Sequence, residues 1–275
     1  DYGEGWTQKF IPLETSEVYT ASPVKNSKNI KEDVELFRVS NDTFTEANGR
    51  PENVAMINDY YGLTYWLSII NKHTQEIVDQ YHQSSLRWRS YGFEKDNAMN
   101  TLSGVKYHLS KEPMLNEDGY QQIETLSFNN EQWYVYENKN FRGLAYILNE
   151  DDMNISDIHV EENRNHLQKV IKDSSSNVRE IYYKENIFEI NAIASKDENL
   201  VLSVPYHNNW KAYINEKEVS LNKSGTNFMT VPLSEGENHI RFIYSNPFIL
   251  TGTICSVFSL IACAVIYFIR KKADN

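Results

Sequence analysis

The sequence predicts an α+β extracytoplasmic domain, then an antiparallel β-sandwich, then one C-terminal transmembrane helix. Three observations predict it. From Phe248 to Ile269 no side chain is charged, and Leu, Ile, Val, Phe, Ala and Cys dominate. Between Arg179 and Tyr244, short alternating or β-branched runs recur at regular spacing with turn residues between them. Before Glu150, such runs are mixed with one longer stretch of helical spacing.

The apolar run of about 22 residues, at roughly 1.5 Å each, reaches about 33 Å and so crosses a hydrocarbon core of about 30 Å. Asn246 and Pro247 stand where a cap and a first-turn proline belong, and Arg270, Lys271 and Lys272 follow the run at once. A basic cluster beside a span normally stays in the cytoplasm. The reading is therefore a transmembrane helix over 247–269, a cytoplasmic tail at 270–275, and everything earlier outside. The opening Asp-Tyr-Gly-Glu-Gly-Trp has neither a positive nor an apolar leader region. Earlier membrane spans preceding this sequence are the expected route across, with 1–34 as a linker from them.

The formal charge of the 275 residues is −11, and the tail after Pro247 carries three cations and one anion, which leaves −13 outside. An acidic outer part without a basic stretch argues against nucleic acid and against docking on anionic lipid. Neutral partners such as carbohydrate suit it better. Both cysteines, Cys255 and Cys263, fall within the span, so the outer part has no disulfide, thiol nucleophile or cysteine zinc site. That pattern, with much Asn, Lys, Ile and Tyr, suits a bacterial cell-surface protein.

Within 35–152, a mixed α/β domain, strands are expected at Glu35–Val39, Gly104–Leu109, Gln132–Glu137 and Leu144–Leu148. Leu63, Trp66, Leu67, Ile70, Ile77, Val78 and Tyr81 give helical spacing from Gly62 to Gln83, with an interruption near Asn71. A bridging segment, 153–177, carries a short helix at Arg164–Lys172 and is broken by Ser174-Ser175-Ser176-Asn177. The sandwich, 178–246, takes strands at 179–184, 187–194, 200–206, 211–214, 227–232 and 239–244.

No Gly-x-Gly-x-x-Gly, Walker loop, Gly-x-Ser-x-Gly or His-Glu-x-x-His is present. His159, Glu162 and His166 have metal-like spacing but lie in a polar segment that reads as a solvated face, and Glu150-Asp151-Asp152 reads as a solvated acidic linker. No catalytic residue and no metal ligand is assigned. The aromatic content is more informative. Asp59, Tyr60, Tyr61 and Trp66 cluster in sequence, as do Arg87 and Trp88. Aromatic faces beside Asp and Arg suit sugar rings and their hydroxyls, and they equally suit a domain core. Trp210 is expected to plug one end of the sandwich and to be largely buried.

The stretch Val204-Pro205-Tyr206-His207-Asn208-Asn209-Trp210-Lys211-Ala212-Tyr213-Ile214-Asn215 resembles one in bacterial YfhO-family membrane proteins. Asn227–Leu233, Glu235–Ile240, Leu102–Tyr107 and Tyr136-Glu137-Asn138 are similar to further stretches of that family, in the same order. Asn209 and Glu216 stand where the family has turn glycines. The resemblance implies a polytopic GT-C-type glycosyltransferase that takes sugar from a polyprenyl-phosphate donor and glycosylates cell-wall polymers such as teichoic acids. It implies catalytic carboxylates in an N-terminal membrane domain outside this sequence. The present part would then need no cofactor of its own. Its partners would be that membrane domain, the membrane, and a cell-wall polymer or glycolipid acceptor that it positions without catalysis. The alternative is a non-enzymatic surface carbohydrate-binding module or a structural cap.

Overall fold

A computed structural model describes residues 22–41, 53–66, 70–82, 89–93, 95–114, 119–174 and 177–273. Two short helices come first, α1 (Pro23–Asn26) and α2 (Lys28–Glu32), capped by the side chains of Ser22 and Ser27. Glu124 holds the second cap from far along the chain. It accepts from Ser27 Oγ at 2.6 Å and from the Lys28 and Asn29 amides, so its carboxylate serves the orphan donors of a helix start. Val24 and Ile30 are buried. Over 22–34, serine caps and two apolar anchors dock the segment.

The elements that follow are β1 (Arg38–Asn41), α3 (Val54–Ile57), β2 (Thr64–Trp66), α4 (Lys72–His82), β3 (Arg89–Tyr91), α5 (Asn97–Leu102), β4 (Val105–Ser110), β5 (Tyr120–Phe128) and β6 (Glu131–Asn138). A sheet of order β1-β4-β6-β5 is parallel only between β1 and β4. Val39, Tyr107, Leu109, Trp133 and Val135 form its core with Val24 and Ile30. Asn129 and Asn130, at φ 51° and 61°, make the two-residue turn between β5 and β6, a left-handed pair that asparagine tolerates. Among the described residues of 62–83, the helical expectation holds only for α4. The Val39 amide donates to the Tyr61 carbonyl at 2.8 Å and draws the chain out along β1, so 64–66 is a strand paired with β3. Asn71 Oδ1 accepts from the His73 amide at 2.7 Å and marks where the helix can start.

Next come β7 (Ala145–Asn149), α6 (Glu150–Met153) and α7 (Glu161–Ser174). The sandwich strands are β8 (Val178–Lys184), β9 (Ile187–Ala194), β10 (Glu198–Pro205), β11 (Trp210–Ile214), β12 (Lys217–Val219), β13 (Asn222–Lys223), β14 (Phe228–Pro232) and β15 (Gly236–Tyr244). One sheet runs β12-β11-β15-β9-β8 and the other β13-β14-β10-β7, all antiparallel. β7 lies within the 35–152 stretch yet pairs with β10 (Leu200 opposite Ile147, Leu202 opposite Ala145), so this sheet draws on both sides of the bridging segment.

Burial along β9 alternates strictly, sending Phe188, Ile190, Ala192 and Ala194 inward. β10 is different because both of its faces are covered. Leu200 and Leu202 enter the core between the sheets, while Val201 joins Leu167 and Ile171 of α7, with Tyr146, Leu148 and Phe228, in a second core. The architecture there is sheet, sheet, helix, with β10 in the middle layer. Trp210 is half-buried, its ring 5.8 Å from Phe188 and 5.3 Å from Tyr244. Its position at the first residue of β11 leaves one side of the indole without a covering strand.

The last helix, α8 (Pro247–Ala273), follows β15 after two residues. The most apolar 18-residue window within Pro247–Lys271 has a mean hydropathy of 2.3, and none of it is buried against the rest of the protein. A helix this apolar and this exposed needs a nonaqueous surrounding.

Candidate functional site

The residues singled out in the sequence separate in space. Asp59 adopts a left-handed conformation (φ 56°) in the turn after α3. Tyr60 turns into the first sheet's core, where its hydroxyl accepts from Asn41 Nδ2 at 3.3 Å and burial pushes its pKa up to about 12. Tyr61 is 52% exposed, with its ring edge-on to Tyr183 at 6.3 Å. Burial, then the neighbouring Tyr183 and Asp59, raises the Tyr61 pKa above the ordinary phenol value. Trp66 sits in β2 opposite Arg89. The Trp66 side chain, Arg87 and Trp88 lie outside the described residues.

Tyr61 and Tyr183 lead to a first cleft. It has a volume of about 470 Å³ and lies between the Glu35–Leu36 segment, Phe141–Gly143 and β8. Tyr183 stacks on Phe188 at 4.3 Å, which fixes its ring, and Tyr182 beside it is 57% exposed. Arg142 and Arg179 stand on the rim, Arg142 held by its bond to the Phe141 carbonyl at 2.6 Å. Gly143, at φ 90°, turns the floor, and a Cβ there would press on Ile181 at 3.2 Å. Below the mouth, Lys106 bridges Asp33 (2.5 Å) and Glu35 (2.6 Å) and lies within 6 Å of the Phe37, Tyr107 and Phe141 ring centres. Burial alone would lower the Lys106 pKa and raise that of Asp33; their mutual bonds outweigh it and shift both the other way.

The second cleft, about 340 Å³, opens where β1, β10 and α4 meet. Arg38, first residue of β1, spans it. Its Nη1 donates to the Ser103 carbonyl at 2.5 Å and to Ser203 Oγ at 3.1 Å. Among the described residues no carboxylate pairs with it. Burial of the guanidinium lowers its pKa to about 10, offset in part by the Tyr146 hydroxyl. Ser103 Oγ and the Tyr65 hydroxyl are buried in the same wall without a formed hydrogen bond, although Tyr65 lies against Ser90. Burial raises the Tyr65 pKa well above the usual phenol value. Leu63, Ile77, Val78, Phe93 and Phe228 make the rest of the lining apolar. The sequence reading passed over this site, although its signal was present: Arg38 is a lone cation inside the apolar run Leu36-Phe37-Arg38-Val39.

The acidic triplet Glu150-Asp151-Asp152 is the first turn of α6, where it complements the helix dipole and Asn149 caps it by accepting from the Asp152 amide. His166 Nε2 meets Asp152 Oδ1 at 2.6 Å, and His159 is exposed. Among the described residues no group of three or more His, Cys, Asp or Glu side chains could hold a metal.

A family model described as "Bacterial membrane protein YfhO" matches residues 14–159 and 147–256. A Bacillus subtilis (strain 168) protein, "Uncharacterized protein YfhO", is 35% identical over 81 residues, which make up 30% of this chain and 9% of that protein. The matched part is thus a small fraction of that relative's length. No solved structure matches the chain.

Proposed function

The chain belongs to the YfhO family of bacterial membrane proteins, and from that premise we propose that it forms the extracytoplasmic C-terminal part of a polytopic, glycosyltransferase-like protein and positions the acceptor. The observation that carries this reading is the 470 Å³ cleft, with Tyr182 and Tyr183 in its wall, Tyr61 beside them and two arginines on the rim. Aromatic faces take the apolar faces of sugar rings, and guanidinium groups donate to their hydroxyls or to phosphate on a cell-wall polymer. The polyprenyl-phosphate sugar donor and the catalytic carboxylates belong, in this proposal, to the preceding membrane domain. Orientation rests on Arg270, Lys271 and Lys272 following the span, which favours a cytoplasmic C-terminus.

The test uses the complete membrane protein. Tyr61→Ala and Tyr182→Ala, both at exposed rings, should lower sugar transfer from a polyprenyl-phosphate sugar to the polymer while membrane insertion stays intact. Unchanged transfer in both variants removes the acceptor role and leaves a structural cap. A reporter fused after Asn275 should read cytoplasmic; an outside reading overturns the orientation.

A further inference from the structure

We propose that the cleft between β1, β10 and α4 binds the phosphoryl group of a phosphate ester, with Arg38 supplying the charge and the hydroxyls of Ser103, Ser203 and Tyr65 the remaining donors. This does not rest on glycosyl transfer. Arg38 commits only Nη1 to the protein, so Nε and Nη2 keep three N–H donors without a partner among the described residues. The guanidinium has no carboxylate beside it among the described residues, and the buried Ser103 hydroxyl lacks a hydrogen-bond partner, which costs free energy. One anion entering the cleft would settle all of these groups at once.

The donor count selects the anion. A carboxylate presents two coplanar oxygens, which a guanidinium fork satisfies alone. Three hydroxyls beyond the fork suit a tetrahedral group with more acceptor oxygens. Ser203 Oγ already accepts from Arg38, so its own proton is free to be donated outward. The apolar remainder of the lining, Leu63, Ile77, Val78, Phe93 and Phe228, suits the organic body of an ester better than inorganic phosphate. About 340 Å³ accommodates a phosphoryl group and a ring-sized substituent.

The experiment titrates the full chain, in nanodiscs of phosphatidylcholine, with phenyl phosphate, inorganic phosphate and phenyl glucoside, read by calorimetry. Phenyl phosphate should saturate, about tenfold tighter than inorganic phosphate, and phenyl glucoside should not bind. Arg38→Gln should weaken phenyl phosphate at least about tenfold, and Arg38→Lys should restore part of the loss. Because Arg38 also ties β1 to β10, Ser103→Ala provides the variant that keeps the fold: it deletes an unpartnered hydroxyl, so thermal stability should hold while affinity falls about three- to tenfold. Failure of phenyl phosphate to saturate, equal binding of the glucoside, or full affinity in Ser103→Ala each overturns the proposal. In nanodiscs containing phosphatidylglycerol, loss of phenyl phosphate binding would identify a lipid headgroup as the bound ester, and retention would identify a soluble one.

Discussion

The sandwich and the first sheet are held together by different forces. Between the two sandwich sheets the core is apolar throughout, from Leu144, Ile147 and Phe188 to Met229, Ile240 and Phe242. The first sheet has a smaller apolar core and relies on buried polar bonds. Asn138 Nδ2 donates to Thr101 Oγ1 and to the Val105 carbonyl, Asn100 Nδ2 donates to the Tyr120 hydroxyl at 2.7 Å, and Ser40 Oγ lies 2.6 Å from His108 Nδ1. Apolar packing is indifferent to pH and tolerant of exchange among similar shapes. A polar interior is not, because each lost partner leaves a buried group unsatisfied. The second cleft draws on both kinds of interior, with Arg38 of the first sheet and Ser203 of the sandwich on its wall.

The largest expected effect falls in the sandwich. Phe242 is fully buried opposite Phe188 and Ala212 in register, so Phe242→Ala should cost about 3–5 kcal/mol in chemical denaturation at any pH between 5 and 9. Trp210→Ala, at a half-buried ring, should cost less, about 2 kcal/mol. A larger loss at Trp210 than at Phe242 would reverse the ranking by burial.

Lys106→Met tests the polar side of the comparison. It leaves Asp33 with the Tyr107 hydroxyl and the Glu35 amide but no cation, and should cost about 2 kcal/mol at neutral pH. The pH dependence follows from the two shifts. The folded pKa of Asp33 is depressed, so the pair's contribution is present above the unfolded carboxylate value of about 4 and is lost as pH falls through the lower folded value. That of Lys106 is raised, so the contribution is whole below the unfolded lysine value of about 10.4 and is lost as pH rises through the folded one. The stability gap between wild type and variant should therefore be widest at pH 5–9 and close at both ends. A gap constant from pH 3 to 11 would mean that the methylene stem, and not the charge, does the holding.

What the sequence made legible follows the same division. β9 and β15 alternate because one face meets a core and the other meets water, so pattern and structure coincide. β5 was missed. It is an edge strand whose Gln121, Gln122 and Glu124 carry no amphipathic signal, and Glu124 is fixed by a cap 97 positions away, a relation that no local window contains. The same holds for the second cleft, whose Arg38, Ser103 and Ser203 are brought together across 65 and 165 positions. Among the aromatics, neighbours in sequence parted in space: Tyr60 went to the core and Tyr61 to the side of Tyr183, where the chain leaves the turn at Asp59.

The smallest expected effect lies in the turn between β11 and β12, where the local turn chemistry and the wider fold disagree. Asn215 and Glu216 occupy φ 49° and 66°, the left-handed pair a two-residue hairpin requires. Asn215 suits it, and its Oδ1 accepts from the His239 amide at 3.0 Å, pinning the turn to β15. Glu216 does not suit it, since a Cβ in that conformation costs about 1 kcal/mol or more. Its carboxylate recovers a little through Arg241 at 3.3 Å, but that pair is mostly solvated and so worth a few tenths of a kcal/mol. Glycine there removes the strain and also loosens the unfolded chain, which offsets part of the gain. Glu216→Gly should therefore stabilise the protein by about 0.5 kcal/mol, seen as a small rise in the denaturation midpoint with an unchanged slope. A fall in the midpoint would show that the Glu216–Arg241 pair holds this edge of the sandwich more firmly than its exposure allows.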